Sequence, residues 1–297
     1  MSSPDNPPGN SQFDPPLSPG SAPKTAPHDA GTFAATVLLP VSPALAPVED
    51  PVFSGWDVLL IIGLTLLTAF VVQVTVTVGA SKLLYPGMDF ADVLQKPILL
   101  LLSQLLIYVA VAAYMVFLVE GKYHTRFWPA IRWNWPSSAW KPLGLGVLLL
   151  FGLNLLQAFL PMPKDTPFEK LFAHPRDAYL LSFIAVSLGP LMEELFFRGL
   201  LYPVLARRLG VVWGILFTAL PFGLIHLQQY GYAWGAVLVI FLVGVVCTAV
   251  RAKTKSVGAS FLVHMGYNGT QMVIAIVVTG GFRHMDKMGM ALHGWLK

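Results

Sequence analysis

Beyond residue 57 the chain alternates long charge-free apolar runs with short polar connections. A spanning helix needs about 20 mostly apolar residues, and residues 58–81, 97–119 and 142–163 each meet that length. A fourth run, 178–192, is also free of charge, then meets Glu193, Glu194 and Arg198 before apolar character resumes over 200–206. Between Arg208 and Arg251 there is no Lys, Arg, Asp or Glu, which leaves room for two spans with a polar break at Gln228, Gln229, Tyr230 and Gly231. The last run, 256–282, is interrupted by His264 and Asn268. The pattern predicts an all-α fold, a polytopic transmembrane bundle of about seven helices.

The segment before the first run reads differently. Twelve of the 24 prolines fall within residues 1–51, among Ser, Asn, Asp and Gly. Such a composition cannot bury enough apolar area to offset chain entropy, so a disordered Pro-rich N-terminal arm is expected there. Its apolar piece, 33–39, is too short to span, is followed by Pro40, Pro43 and Pro47, and lacks the basic start of a signal peptide. The organisation expected is an arm over 1–51, a transmembrane helical domain over 52–280 with its core at 167–278, and a short C-terminal tail over 281–297. Residues 163–177, with Phe168, Leu171 and Phe172 at helical spacing, read either as an interfacial amphipathic helix or as a plain loop.

Composition agrees with the spans. Charged residues make up 11% of the chain, against about 25% in a soluble domain, and mean hydropathy is +0.66, which excludes an ordinary water-soluble globule. The net charge of +4 is too small and too scattered for a nucleic-acid-binding stripe. One cysteine, Cys247, allows neither an intrachain disulfide nor a Cys-based metal cluster. Lys and Arg in the loops divide nine to eight between the two sides, and the dense short loops around Lys122–Lys141, Arg207–Arg208 and Arg251–Lys255 favour a cytoplasmic N-terminus. Trp128, Trp133, Trp135 and Trp140 read as an interfacial belt.

Placing a charge at a helix centre costs about 2.5 to 3.5 kcal/mol on insertion scales, so ionisable residues inside the spans are candidates for function. Glu194 and Arg198 stand at i and i+4, the favourable order for an ion pair on one helix face. Glu193 is rotated from Glu194 by about 100° and cannot use the same partner. A buried carboxylate with no fixed counter-charge has the raised proton affinity that a general base needs. Phe222 and His226 are four apart on the fifth span, and His264 and Asn268 four apart on the last, so each helix offers a polar face. Interhelical hydrogen-bond glue needs no pair of adjacent carboxylates, which makes packing alone a poor account of the set. Gln73, Gln104, Asn154 and Gln157 carry no charge and have no matching partners, Met192 and Met272 read as packing, and Gly199, Gly223 and Gly266 leave room for a water-filled cavity.

Three motifs emerge: Glu193-Glu194-Leu195-Phe196-Phe197-Arg198 as EExxxR, Phe222-Gly223-Leu224-Ile225-His226 as FxxxH, and His264-Met265-Gly266-Tyr267-Asn268 as HxxxN. In this order and spacing the chain resembles the CAAX protease and bacteriocin-processing (CPBP, also Abi) family of intramembrane proteases, over about 167–278. The resemblance implies that Glu193 activates water for attack on a peptide carbonyl with help from His226, that His264 and Asn268 stabilise the oxyanion, and that Glu194, Arg198 and Phe222 give structural support. The residues also permit a second version, in which Glu193, His226 and His264 hold a divalent metal such as Zn²⁺; the expected cofactor is thus none or one such ion.

The family implies a peptide or protein substrate that is hydrophobic or lipidated, with membrane lipids as surroundings and no nucleic-acid partner. The expected location is the bacterial cytoplasmic membrane. Two other classes use similar residues: a proton-coupled transporter, for which the sequence lacks an internal repeat of broken helices, and a catalytically silent immunity or binding protein.

Overall fold

The computed structural model describes residues 50–162, 166–172 and 174–288. Residues 1–49 of the Pro-rich arm, with its piece 33–39, residues 163–165, residue 173 and residues 289–297 of the tail lie outside the described residues. Six helices are long and apolar enough to cross a membrane, and a shorter one stands among them. In chain order they are α1 (Gly55–Leu83), α2 (Pro97–Lys122), α3 (Trp140–Gln157), α4 (Pro175–Leu209), α5 (Val211–Leu224), α6 (Trp234–Thr254) and α7 (Val257–Val278). The exterior is apolar: Leu66, Phe70, Val109, Leu148 and Val277 are all largely exposed. In water that surface would drive aggregation, whereas lipid tails solvate it. This is an integral membrane protein with an all-α fold.

The fifth helix is shorter than a full span, at 14 residues. Its sequence gives the reason. Gly210 adopts φ 82°, a conformation suited to glycine, and turns the chain sharply from α4 into α5. Pro221 then removes the N–H that would bond the carbonyl of Phe217, and the helix ends at Leu224. The residues that follow, through Ala233, run in successive tight turns.

α7 occupies the middle of the bundle, packed against α3, α4 and α6. The α3–α7 crossing is the closest kind helices make: a Cβ on Gly146 would stand 2.2 Å from the Val263 carbonyl, and one on Gly266 2.5 Å from that of Leu143. Gly223 and Gly199 are likewise packed, against Phe241 and Ile131. Of the glycines expected to open a cavity, Gly199, Gly223 and Gly266 therefore serve instead to bring helices together, because backbone contact is what small residues permit.

At one end of the bundle the connections are tied by polar contacts. Asp57 in the first turn of α1 closes a capping box with Ser54, takes Lys122 Nζ at 2.6 Å and accepts from the Tyr123 hydroxyl at 2.5 Å. Arg207 reaches Asp50 at 2.8 Å, and the Val257 N–H donates to the Arg132 carbonyl. Trp128, Trp133 and Trp135 form a chain of edge-to-face contacts at the same end. At the other end, Pro167–Lys170 forms a single helical turn. Its apolar neighbours turn inward: Phe168 packs on Phe172 and Tyr230, and Phe172 on Phe282.

Candidate active site

A helix break sets the position of the paired glutamates. Pro190 has no N–H for the carbonyl of Val186, and α4 is interrupted at Ser187 before resuming as Leu188–Glu194. Directly after Glu194 the helix widens into a π-helical stretch, Leu195–Leu201, a feature that often accompanies functional sites. Glu193 and Glu194 consequently face different surroundings. The Glu193 side chain is 22% exposed and lines a cavity of about 550 Å³. Glu194 is wholly buried.

Glu194 is held from three directions. Arg198 Nη1 lies 2.9 Å from its Oε1, a charge contact off the hydrogen-bond line. His264 Nδ1 donates to the same oxygen at 3.0 Å, the direction being fixed because a carboxylate can only accept. Ser260 Oγ lies 2.5 Å from Oε2 and 2.9 Å from the Cys247 carbonyl. Arg198 in turn donates to Thr248 Oγ1 at 3.2 Å and to the Gly244 carbonyl at 3.1 Å. Its guanidinium lies 4.4 Å from the centroid of the Phe222 ring, a contact whose attraction grows when water is excluded. Phe222 is 1% exposed, so the first residue of FxxxH covers the cation of EExxxR.

The two histidines come from different structural origins but present the same nitrogen. His226 lies in the turns after α5, where its Nδ1 donates at 2.8 Å to the Phe222 carbonyl, one of the groups that a helix end leaves without a partner. His264 lies on α7 with Nδ1 on Glu194. Each ring therefore turns Nε2 toward Glu193, His226 at 3.9 Å from Oε1 and His264 at 3.7 Å from Oε2. Asn268, one turn beyond His264, donates through Nδ2 to the Ala185 carbonyl at 2.8 Å, in the last turn before the α4 break. A carboxamide has two N–H hydrogens, so one remains for the cavity.

The structure thus brings Glu193, His226, His264 and Asn268 to the lining of one cavity, which Phe222 also joins, with Glu194 and Arg198 buried behind it. Several contributors carry weaker signals. Ser260 extends the His264–Asn268 stripe by one step of four, and Gly244 and Thr248 share a face of α6 at the same interval. Gln104 and Gln157, neutral and bland by sequence, line the cavity with Tyr108 and Tyr230. Tyr108 Oη lies beside Gly189, one turn before Glu193. At Tyr230, outside the spanning helices, burial followed by the charges of Glu169 and Glu193 pushes the phenol up to about 12, so it remains a hydrogen-bond donor.

Glu193, His226 and His264 are the donor types of a His₂Glu zinc site, and both imidazoles are anchored through Nδ1 as metal-bound histidines are. Their spacing does not fit. Among the described residues, the trio whose donor atoms all lie within 4.8 Å of one another is Glu194, Cys247 and His264, fully buried, and there Glu194 is already engaged by Arg198, His264 and Ser260.

No curated protein and no solved structure matches the chain. Residues 175–270, which carry all three motifs, match the family model of the Rce1-like type II CAAX prenyl endopeptidases, the family to which this segment is similar.

Proposed function

We propose that the protein hydrolyses a peptide bond of a hydrophobic or lipid-associated polypeptide within its cavity, with Glu193 as general base. The observation that carries this reading is the convergence of one cavity-facing carboxylate and two imidazole Nε2 atoms, 3.7 and 3.9 Å away, within a bundle of apolar helices. With Nδ1–H committed to Phe222, neutral His226 offers a lone pair at Nε2 and accepts one hydrogen of a water molecule. Glu193 accepts the other. The oxygen so oriented adds to the substrate carbonyl carbon as its proton passes to Glu193, and the C=O π electrons move to oxygen.

That oxyanion is met by the free N–H of Asn268 and by His264, whose Nε2 carries a hydrogen when the ring, lying between Glu193 and Glu194, is cationic. Donors already aimed at the developing charge need no rearrangement as the reaction proceeds. Collapse breaks the C–N bond, and protonated Glu193 returns its proton to the leaving amine. Glu194 and Arg198 act behind this set as positioning residues.

The test compares peptide termini by mass spectrometry in cells carrying wild-type protein or Glu193→Gln, and follows cleavage of a farnesylated CAAX peptide by the purified proteins. Chain ends present with wild type and lost with Glu193→Gln, together with a fall of about 10² to 10⁴ in kcat, are expected. Identical termini and unchanged cleavage, with the variant present at normal levels, overturn the assignment. Metal analysis of the active preparation decides the role of an ion: stoichiometric zinc that is required for cleavage would replace the metal-free scheme.

A further inference from the structure

The cavity wall contains a polar group that the scheme above leaves unused. Gln157 ends α3, is 3% exposed, lines the same cavity as Glu193, His226 and Asn268, and its Oε1 has no hydrogen-bond partner. The preceding turn of its own helix is apolar, with Leu153 and Leu156 in one cluster with Val239, Val243 and Tyr267. A buried carboxamide oxygen that no protein group bonds is unfavourable unless something in the cavity supplies the hydrogen. A methionine would fill similar space without that penalty. The exception has a direct explanation if a ligand supplies the missing hydrogen.

Position limits what that ligand can be. α3 and α7 run side by side from their crossing at Gly146 and Val263, and Gln157 is eleven residues past that crossing. It therefore stands beyond the level of Asn268, toward the cavity end where Met162, Pro167, Phe168 and Tyr230 line the wall. The group that meets Gln157 is thus displaced along the substrate from the scissile carbonyl. The same cavity is also lined by Leu100, Leu101, Val239 and Met272, which accept apolar side chains.

We propose that Gln157 is the main-chain anchor for the substrate: its free amide oxygen accepts a hydrogen bond from a peptide N–H of an extended, apolar segment lying in the cavity. This rests on the peptidase reading of the cavity. It adds a conformational requirement, because interior N–H groups of a helix are already bonded to carbonyls four residues back. A substrate helix must unwind over the residues it places here, and a segment that leaves an N–H free is selected over one that does not. Gln157 acts by positioning and takes no part in the proton transfers.

The experiment uses full-length protein in detergent micelles and the farnesylated CAAX peptide as probe. For Gln157→Met, KM is expected to rise about tenfold with kcat within about twofold of wild type, as loss of one hydrogen bond to bound substrate requires. Binding is then measured in the Glu193→Gln background, independently of cleavage, with a series of the same peptide bearing one backbone N-methyl group at successive positions. One position should weaken binding about tenfold when Gln157 is present and have no further effect when it is Met. The melting temperature of the empty protein should be equal or higher with Gln157→Met, since no native bond is lost. Unchanged KM, identical N-methyl profiles in the two backgrounds, absence of peptide binding, or a lower melting temperature with kcat and KM both impaired would each overturn the proposal. Failure of the peptidase reading itself appears separately, as cleavage that survives Glu193→Gln.

Discussion

Glu194 holds His264 by its far nitrogen: Nδ1 donates to Glu194 Oε1 at 3.0 Å while Nε2 of the same ring faces Glu193 Oε2 at 3.7 Å. The adjacent glutamates thus address opposite edges of one imidazole, which two carboxylates on separate helices would require far more structure to arrange. The 100° step between neighbouring residues on α4 supplies the separation.

Neutralising Glu194 should therefore damage folding more than neutralising Glu193. Arg198 is fully buried, and Glu194→Gln leaves its charge without a counter-ion, a change that costs about 3 to 5 kcal/mol at buried pairs. The expected outcome is a markedly lower melting temperature in detergent for Glu194→Gln, with Glu193→Gln close to wild type. The double variant Glu194→Gln/Arg198→Met should recover part of the stability but little cleavage, because a neutral carboxamide holds the His264 Nδ1–H less strongly than the carboxylate it replaces. Equal melting temperatures for the two single variants would show that the Arg198 charge is satisfied elsewhere.

Asn268 combines two tasks that substitution can separate. Its amide bonds the Ala185 carbonyl at the α4 break, and its second N–H is free for the oxyanion. Asn268→Ala should lower kcat by about 10² to 10³, the range seen when one oxyanion donor is removed, with a modest loss of stability. Asn268→Asp retains an acceptor but no donor, and should lose activity at least as severely. Comparable kcat for wild type and both variants in the farnesylated-peptide assay would remove Asn268 from the proposed reaction.

Much of this site is legible because charge inside an apolar run is conspicuous. Glu193, Glu194, Arg198, His226 and His264 interrupt otherwise apolar sequence, and i,i+4 spacing assigns Glu194 to Arg198. The same spacing does not disclose that Glu194 also reaches His264, seventy residues away, since interhelical partners depend on how α4 and α7 cross. Neutral groups are harder still: Gln157 has no charge to mark it, and its importance lies in an absent partner. The break at Ser187 and the early end of α5 follow from Pro190 and Pro221, yet proline alone does not tell whether a membrane helix bends or stops. The glycines misled for a related reason. Small side chains serve equally to leave space and to close it, and Gly266 closes it.

That closure gives a sharp contrast along a single helix. On α3, a Cβ at Gly146 would meet the Val263 carbonyl at 2.2 Å and the Tyr267 nitrogen at 2.7 Å, whereas Gly144 and Gly152 have nothing within 4 Å. The obstructing atoms are backbone and cannot rotate away, so Gly146→Ala must push α3 from α7, at a cost of about 1 to 3 kcal/mol or more for overpacking. Because α7 carries His264 and Asn268, the displacement also disturbs their distances to Glu193. Gly146→Ala should therefore melt several degrees lower and cleave the farnesylated peptide more slowly, while Gly144→Ala and Gly152→Ala should match wild type in both respects. If all three alanine variants behave alike, the helices do not approach as closely at Gly146 as the crossing requires, and the placement of His264 and Asn268 against Glu193 loses its mechanical basis.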